Sequence, residues 1–409
     1  MNHNAVSTPR RMTPLEIKLR LCFSEVSVVA KQKEKLNIVM LGHKRIPSRE
    51  GGIEIVVEEL STRMVAAGHK VTCLNRAGSH VSGKAFDTEA LTEHKGIRIK
   101  TVPTLDKKGL AAMTASVTGA IVAAFGRYDV VHFHAEGPCA MLWLPKLFGK
   151  HCVATIHGLD HKAPKWGRFA KAYIMFGEKC AARYADEVIV LNRYVQRYFL
   201  EKYNRNTVLI PNGIESPEIK SAVEIHQKFK LERDSYILYL GRIVPGKGLE
   251  YLINAFKQCK TEKKLVVAGG SSDTREYMKE IQCLAKEDTR ILFTDFVEGR
   301  ILEELYSNTY LFVLPSDSEG MPMSLLEAMS YGNCCLTSDI SGCTDVLGDY
   351  GVTFLRGNVE DLAAKLQCLC NNPDLVEKYR SQSAEYICEK FNWDDIVLRT
   401  MDIYRGDKE

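Results

Sequence analysis

No run of this chain approaches the ~18 consecutive apolar residues that a membrane-spanning helix needs, and no signal peptide is expected at its start. The small apolar stretch from Gly109 to Phe125 is broken by Thr and Ser and reads as a packed helix. None of the 13 cysteines falls in a C-x-x-C pair, the spacing of metal knuckles and redox motifs. Most of them, such as Cys73, Cys152, Cys180, Cys259 and Cys335, sit in apolar patterns and read as buried thiols of a reducing, cytoplasmic compartment. Surplus charge is scarce too. Residues 1–35 hold seven Lys or Arg against three Glu, a surplus equal to the whole net charge of +4. The rest is electrically balanced, which argues against nucleic acid as a partner. The leader itself reads as a disordered extension or a start assigned too far upstream, since so modest a charge binds a bilayer weakly. No repeat of solenoid period is visible.

Strand-like runs alternate with helical stretches. They fall at 36–42, 70–75, 97–103, 129–134, 151–157, 187–191 and 207–210, then at 236–241, 264–269, 290–295, 310–314, 333–338 and 351–354. That alternation implies parallel sheets with helical crossovers. At 409 residues the chain is too long for one core. The turn Ile210-Pro211-Asn212-Gly213-Ile214 and the polar segment after it divide the chain into domains at 36–214 and 215–390. Residues 391–409 remain as an amphipathic helix.

Four motifs carry chemistry. The run Glu319-Gly320-Met321-Pro322-Met323-Ser324-Leu325-Leu326-Glu327 follows an apolar strand. Proline suits a helix's first turn, and Gly332 suits its left-handed stop, so a helix is expected from Met323 to Tyr331. Glu319 then lies before the helix and Glu327 within it, with free amides between them suited to an anion. Two carboxylates and an anion site in series fit a nucleotide-sugar. In the second motif a buried strand ends at Gly241, and Arg242 and Lys247 flank the start of the next helix. Arg grips phosphate bidentately and Lys acts as a point charge. A leaving diphosphate gains negative charge, so both cations act on the transition state.

The third motif is Gly51-Gly52, after the first strand and a loop from His43 to Glu50. A Gly pair lets backbone amides approach a ligand, although the spacing is not that of the dinucleotide fingerprint G-x-G-x-x-G. Arg45 and Arg49 of this loop either meet a ligand or face water. The fourth is His157, delivered by a buried strand to the ligand side of an open sheet. His134 occupies a similar strand end and reads as structural.

The spacing of Glu319 and Glu327 resembles the E-x7-E motif of retaining GT-B glycosyltransferases, above all glycosyltransferase family 4. Gly241-Arg242, Lys247 and Gly248 resemble the same family's G-R-x-x-x-x-K-G. Gly51 and Gly52 look like its donor-phosphate loop, and His157 like its sugar-contacting histidine. The resemblance covers roughly residues 36 to 405. It implies two Rossmann-like doubly wound domains facing across a cleft, the first on the acceptor side and the second binding the nucleotide-sugar, with residues 391–409 crossing back to the first.

It also implies sugar transfer with retention, with Glu319, His157, Arg242 and Lys247 in catalysis. The donor would be held by Gly51, Gly52, Gly241, Arg242, Lys247, Glu319, the amides from Gly320 through Met321 and Pro322 to Met323, and Glu327, with Val297 beside the base. No D-x-D motif is present, and no metal is expected. The acceptor would be a saccharide or a lipid-linked oligosaccharide. The segment from Gly42 to Glu54 and the Met321-Pro322 form of the glutamate motif resemble bacterial enzymes of capsule and exopolysaccharide synthesis, some called rhamnosyltransferases. Many family members have Phe-Gly in place of Met-Pro, so donor assignments from those members do not transfer. UDP, GDP, dTDP and ADP donors all remain open. A GT-B epimerase or hydrolase and a non-catalytic sugar-nucleotide-binding subunit are the alternatives. The basic, aromatic segment from Lys162 to Arg183 either meets an anionic lipid-diphosphate acceptor at the cytoplasmic membrane face, or packs its aromatics inward as an ordinary amphipathic helix.

Overall fold

Fourteen strands among the described residues form two sheets. The structure, a computed structural model, describes residues 35–78, 91–105, 110–163, 166–270 and 275–406. The basic leader up to residue 34, Lys165, Gly109 and the last three residues of the terminal segment lie outside the described residues. From Asn37 onward the chain forms one compact unit.

The first sheet holds β1 (Asn37–Leu41), β2 (Lys70–Arg76), β3 (Glu93–His94) and β4 (Ile97–Val102). It continues with β5 (Val130–His134), β6 (His151–Ile156), β7 (Glu187–Val190) and β8 (Val208–Leu209). Their order is β3-β4-β2-β1-β5-β6-β7-β8, parallel throughout except for β3. The second sheet holds β9 (Tyr236–Leu240), β10 (Lys264–Ala268) and β11 (Ile291–Asp295), then β12 (Leu311–Leu314), β13 (Cys335–Ser338) and β14 (Val352–Phe354). Its order, β11-β10-β9-β12-β13-β14, is the doubly wound 3-2-1-4-5-6 arrangement. Central strands such as β5 and β12 are buried along their whole length. Helices cover both faces of such sheets, so their strands read as continuous apolar runs. Only β3 was not anticipated. Two residues long and antiparallel, it is held by pairing with β4 and has no apolar pattern of its own.

The helix Leu110–Phe125 buries a small-residue face that includes Ala115, Gly119 and Ala123, and turns Val117, Ile121 and Phe125 outward. The reading as a packed helix therefore describes one of its faces.

The last helix, Trp393–Arg405, returns to the first sheet. Asn392 bridges to Ile214, and Arg399 donates to the Leu209 carbonyl. Near the helix end, Tyr404 is hydrogen-bonded to His132 Nδ1 at 2.6 Å, and His132 Nε2 meets Thr155 Oγ1 at 2.7 Å. His132 begins a row of three imidazoles that runs outward to the cleft, its ring 4.1 Å from His134 and that of His134 5.4 Å from His157. Burial pushes His132 down to about 3 and holds His134 well below the usual histidine range. His43, hydrogen-bonded to Asn75, is lowered to about 4 by burial.

Two outcomes follow from this buried helix and its histidines. Tyr404→Phe strips a partner from a buried imidazole and costs about 1–3 kcal/mol in urea unfolding. The depressed histidines contribute stability that is complete above the unfolded pKa of about 6.5 and drains as pH falls toward 4, because only the unfolded chain takes up protons there. The melting temperature therefore falls between pH 6.5 and 5. His132→Gln flattens that slope, each removed histidine accounting for at most about 1.4 kcal/mol per pH unit.

Candidate functional site

The carboxyl ends of both sheets face one cleft of about 980 Å³, a volume at the upper end of small-ligand sites. At the switch point of the second sheet, β9 gives way to Gly241 and Arg242, and the chain loops back to helix Leu249–Gln258. The end of β12 lies alongside, and the Asp317 amide donates to the Gly246 carbonyl at 3.0 Å. That tie brings Lys247 to the glutamate loop. Lys247 Nζ donates to Glu319 Oε1 at 2.5 Å, and Ser316 Oγ donates to the same oxygen at 2.6 Å.

Helix Met323–Ser330 starts where the proline pattern placed it, with Gly332 in the left-handed conformation beyond its end (φ +74°). Pro322 differs in detail. It is the extended residue before the helix, not part of its first turn, and its carbonyl accepts the Leu325 and Leu326 amides. The start of the helix still opens on the cleft. Glu327 is held from two sides, as Arg49 donates to Oε1 and the Tyr306 hydroxyl to Oε2 at 2.9 Å. The Glu327 charge raises the Arg49 pKa. Burial, then the Glu327 charge, pushes Tyr306 far above the usual phenol range.

Across the cleft, β6 delivers His157, whose Nε2 lies 3.1 Å from His134 Nδ1. Burial lowers His157 to about 4, so it is neutral at physiological pH. His134 is fully buried behind it. Arg45 and Arg49 part company. Arg45 turns to the Gly78 carbonyl and Glu50, while Arg49 lines the cleft.

The cleft gathers every site residue named from the sequence. Gly51, Gly52 and His157 line it from the first sheet's side. Gly241, Arg242, Lys247 and Val297 line it from the second. Glu319 through Met323 and Glu327 form the wall between them.

Two residues with a part in this geometry had no signal beyond a turn or a cap. Asn192 caps the helix Arg193–Tyr203 with its carbonyl oxygen and donates through Nδ2 to the Gly320 carbonyl at 2.6 Å. Asn212, in the Pro-Asn-Gly turn, donates to the Met321 carbonyl at 3.2 Å. Both reach from the first half to the glutamate loop of the second.

Comparisons with known proteins follow this division. Residues 50–216 match the family model Glycosyltransferase Family 4, and residues 222–386 match Glycosyl transferases group 1. A D-inositol 3-phosphate glycosyltransferase of Xylanimonas cellulosilytica is 25% identical over 392 residues, covering 87% of this chain and 91% of its own length. Sucrose-phosphate synthase from Thermosynechococcus elongatus superposes with a TM-score of 0.76 at 20% identity, over 91% of this chain and 99% of that one. HepE of Anabaena, solved with UDP and glucose, gives 0.75 at 16% identity, over 91% and 100% of the two chains. With one family model on each sheet domain and the fold shared over 91% of its length, the chain belongs to the group 1 glycosyltransferases of the GT-B type.

Proposed function

We propose that the protein transfers a sugar from a nucleotide-diphosphate donor to a saccharide or lipid-linked oligosaccharide, with retention at the anomeric carbon, in the assembly of a cell-surface polysaccharide such as capsule or exopolysaccharide. The observation that carries this reading is the convergence of Arg242, Lys247, Glu319 and Glu327 on one cleft opposite His157. HepE, of the same fold, was crystallised with UDP and glucose.

The donor's diphosphate sits on Arg242, Lys247 and the amides that open helix Met323–Ser330. It competes with Glu319 for the Lys247 ammonium and so releases carboxylate capacity for hydroxyls of the sugar. Glu327 exchanges Arg49 for the ribose hydroxyls. His157, uncharged, hydrogen-bonds the transferred sugar. As the bond from the anomeric carbon to phosphate oxygen breaks, the charge on the diphosphate grows, and the two cations stabilise it without a metal. The acceptor hydroxyl attacks from the face the diphosphate leaves, and its proton passes to the departing phosphate oxygen. Closure of the cleft keeps out water, a competing acceptor.

The lipid-linked form of the acceptor is supported by an exposed apolar and basic face on the first domain. Helix Arg168–Tyr184 turns Phe169 and Phe176 to solvent, 72% and 52% exposed, with Arg168, Lys179 and Arg183 beside them. Inward packing of this helix's aromatics thus fails for these two. Elsewhere on the first domain, Phe125 at the end of helix Leu110–Phe125 packs edge-on against Phe148, which caps the helix Trp143–Leu147, with ring centroids 4.6 Å apart and both exposed. Apolar side chains ringed by cations fit an anionic bilayer surface.

The activity test incubates purified protein with UDP-, GDP-, dTDP- and ADP-sugars, with and without saccharide acceptor. Glu319→Ala and Lys247→Met each lower kcat by about 10²–10³-fold, while Glu319→Ala still binds nucleotide in a thermal-shift assay. Unchanged turnover in Glu319→Ala contradicts the assigned role, and donor consumption that ignores acceptor points to hydrolysis or epimerisation. The anomeric coupling constant of the product in proton NMR reports retention or inversion. For the membrane face, flotation with phosphatidylserine vesicles recovers the wild-type chain, and the double variant Phe169→Ser, Phe176→Ser stays in the soluble fraction. Equal recovery of both rules that face out.

A further inference from the structure

Behind the acceptor-side wall lies a second cluster of titratable side chains, which the transfer reaction does not use. Glu136 follows β5 in the chain, His161 lies in the short 3-10 turn Asp160–Lys162 just after His157, and Glu178 is in the middle of helix Arg168–Tyr184. Gly177 makes their meeting possible. A Cβ there would stand 2.0 Å from the Glu136 carbonyl oxygen, so only glycine lets the helix lie this close to the end of β5.

Both carboxylates are fully buried, and each has one oxygen firmly held and one left over. Glu136 Oε2 accepts the Asp160 amide at 2.8 Å. Glu178 Oε1 accepts the Tyr198 hydroxyl at 2.8 Å, Lys202 Nζ at 2.9 Å and the Tyr203 hydroxyl at 2.5 Å. Glu136 Oε1, Glu178 Oε2 and His161 Nδ1 make no well-aligned hydrogen bond and are paired only with one another. These three atoms face one another. His161 Nδ1 lies 3.1 Å from Glu178 Oε2 and 3.7 Å from Glu136 Oε1, and the set lies within 4.8 Å.

We propose that Glu136 Oε1, His161 Nδ1 and Glu178 Oε2 are the protein ligands of a divalent transition-metal ion, of the Zn²⁺ or Mn²⁺ class, which clips the cleft-lining turn after His157 to the body of the first domain. An ion roughly 2.0–2.2 Å from nitrogen and oxygen ligands sets neighbouring ligands roughly 3–3.6 Å apart, close to the two separations measured here. One imidazole with two carboxylates suits borderline cations better than Ca²⁺ or Mg²⁺, which favour all-oxygen sets. The outer contacts are those a metal site needs. The Tyr198 hydroxyl meets His161 Nε2 at 3.4 Å and steadies the ring. The donors on Glu178 Oε1 and Glu136 Oε2 aim the opposite oxygens inward. Without an ion, the two carboxylates raise His161 to about 9, and its imidazolium balances, with Lys202, both buried charges. A divalent ion takes the place of that proton, so binding releases it. Asp160 and Lys162, on either side of the ligand histidine, line the cleft. The ion therefore acts by fixing the acceptor-side wall and is separate from the donor chemistry, for which no metal is invoked.

The test uses the full chain without an affinity tag, stripped with EDTA and then dialysed free of it. Titration with Zn²⁺ or Mn²⁺ in a calorimeter gives one ion per chain and raises the melting temperature. His161→Ala and Glu136→Gln abolish that binding, and Tyr198→Phe weakens it about 10–100-fold with an unchanged circular dichroism spectrum. Should Glu136→Gln fail to fold, His161→Ala, whose side chain is partly exposed, decides alone. Absence of stoichiometric binding in the wild-type chain overturns the proposal. So does binding that survives His161→Ala, because the ion is then held elsewhere, for example by the exposed Cys283 or Cys368. Neither result bears on sugar transfer, which Glu319→Ala reads separately.

Discussion

Gly320 lies against the His157 carbonyl through bare backbone, and the geometry of the cleft depends on that approach. A Cβ at this glycine would stand 1.6 Å from the His157 oxygen, a distance no side chain can occupy. The contact does more than let two domains touch. It joins the residue after Glu319 to the residue at the end of β6, so the acid of one half and the imidazole of the other are set in register by a single backbone meeting. Asn192 and Asn212 then donate to the carbonyls of Gly320 and Met321. These carbonyls would otherwise be acceptors facing a partly dry wall, where an unpaired polar group costs about 1–3 kcal/mol.

How far the sequence revealed this follows from the range of each interaction. Central strands buried on both faces write themselves as unbroken apolar runs and β4, buried and exposed by turns, as an alternating one, so all but the two-residue β3 are legible. Glu319 and Glu327 are legible because a helix start lies between them, and Arg242 and Lys247 because they flank a strand end and a glycine. What escapes is pairing at a distance. Asn192 reads as a helix cap and Asn212 as a turn residue, and nothing local says that each also reaches more than 100 positions along the chain. Arg49 looked equally suited to solvent or ligand, and the partner that resolves it lies 278 residues away. Glu136, His161 and Glu178 share no spacing motif. A glutamate inside an amphipathic helix reads as solvated until a glycine beside it is seen to bring the helix onto the end of a strand.

The aromatic, basic helix shows a different limit. Its sequence fits inward packing and outward display equally well, because apolar and charged residues interleave. The choice falls to the neighbours. Small residues on helix Leu110–Phe125 fill the space against the sheet, and Ile174, Gly177 and Cys180 take the buried face of Arg168–Tyr184. That leaves Phe169 and Phe176 without a place in the core, so their exposure is a consequence of packing elsewhere.

The charges of the cleft are already paired before a ligand arrives, and the two pairs differ in how readily they open. Arg49 with Glu327 spans the two halves, and the guanidinium side is 39% exposed. Glu327 itself is only 11% exposed, so in the proposed exchange the ribose hydroxyls and Tyr306 would have to hold its charge as Arg49 swung to solvent. Lys247 with Glu319 is more enclosed, at 21% and 10% exposure, and neither charge can be left alone there without a larger penalty. In the proposed reaction a diphosphate would remove that penalty by giving the ammonium a new anion as Glu319 turned to the sugar. A neutral sugar offers Lys247 no such anion. Under that proposal, discrimination between an activated donor and a free sugar would begin at the ion pair, before any contact with the base.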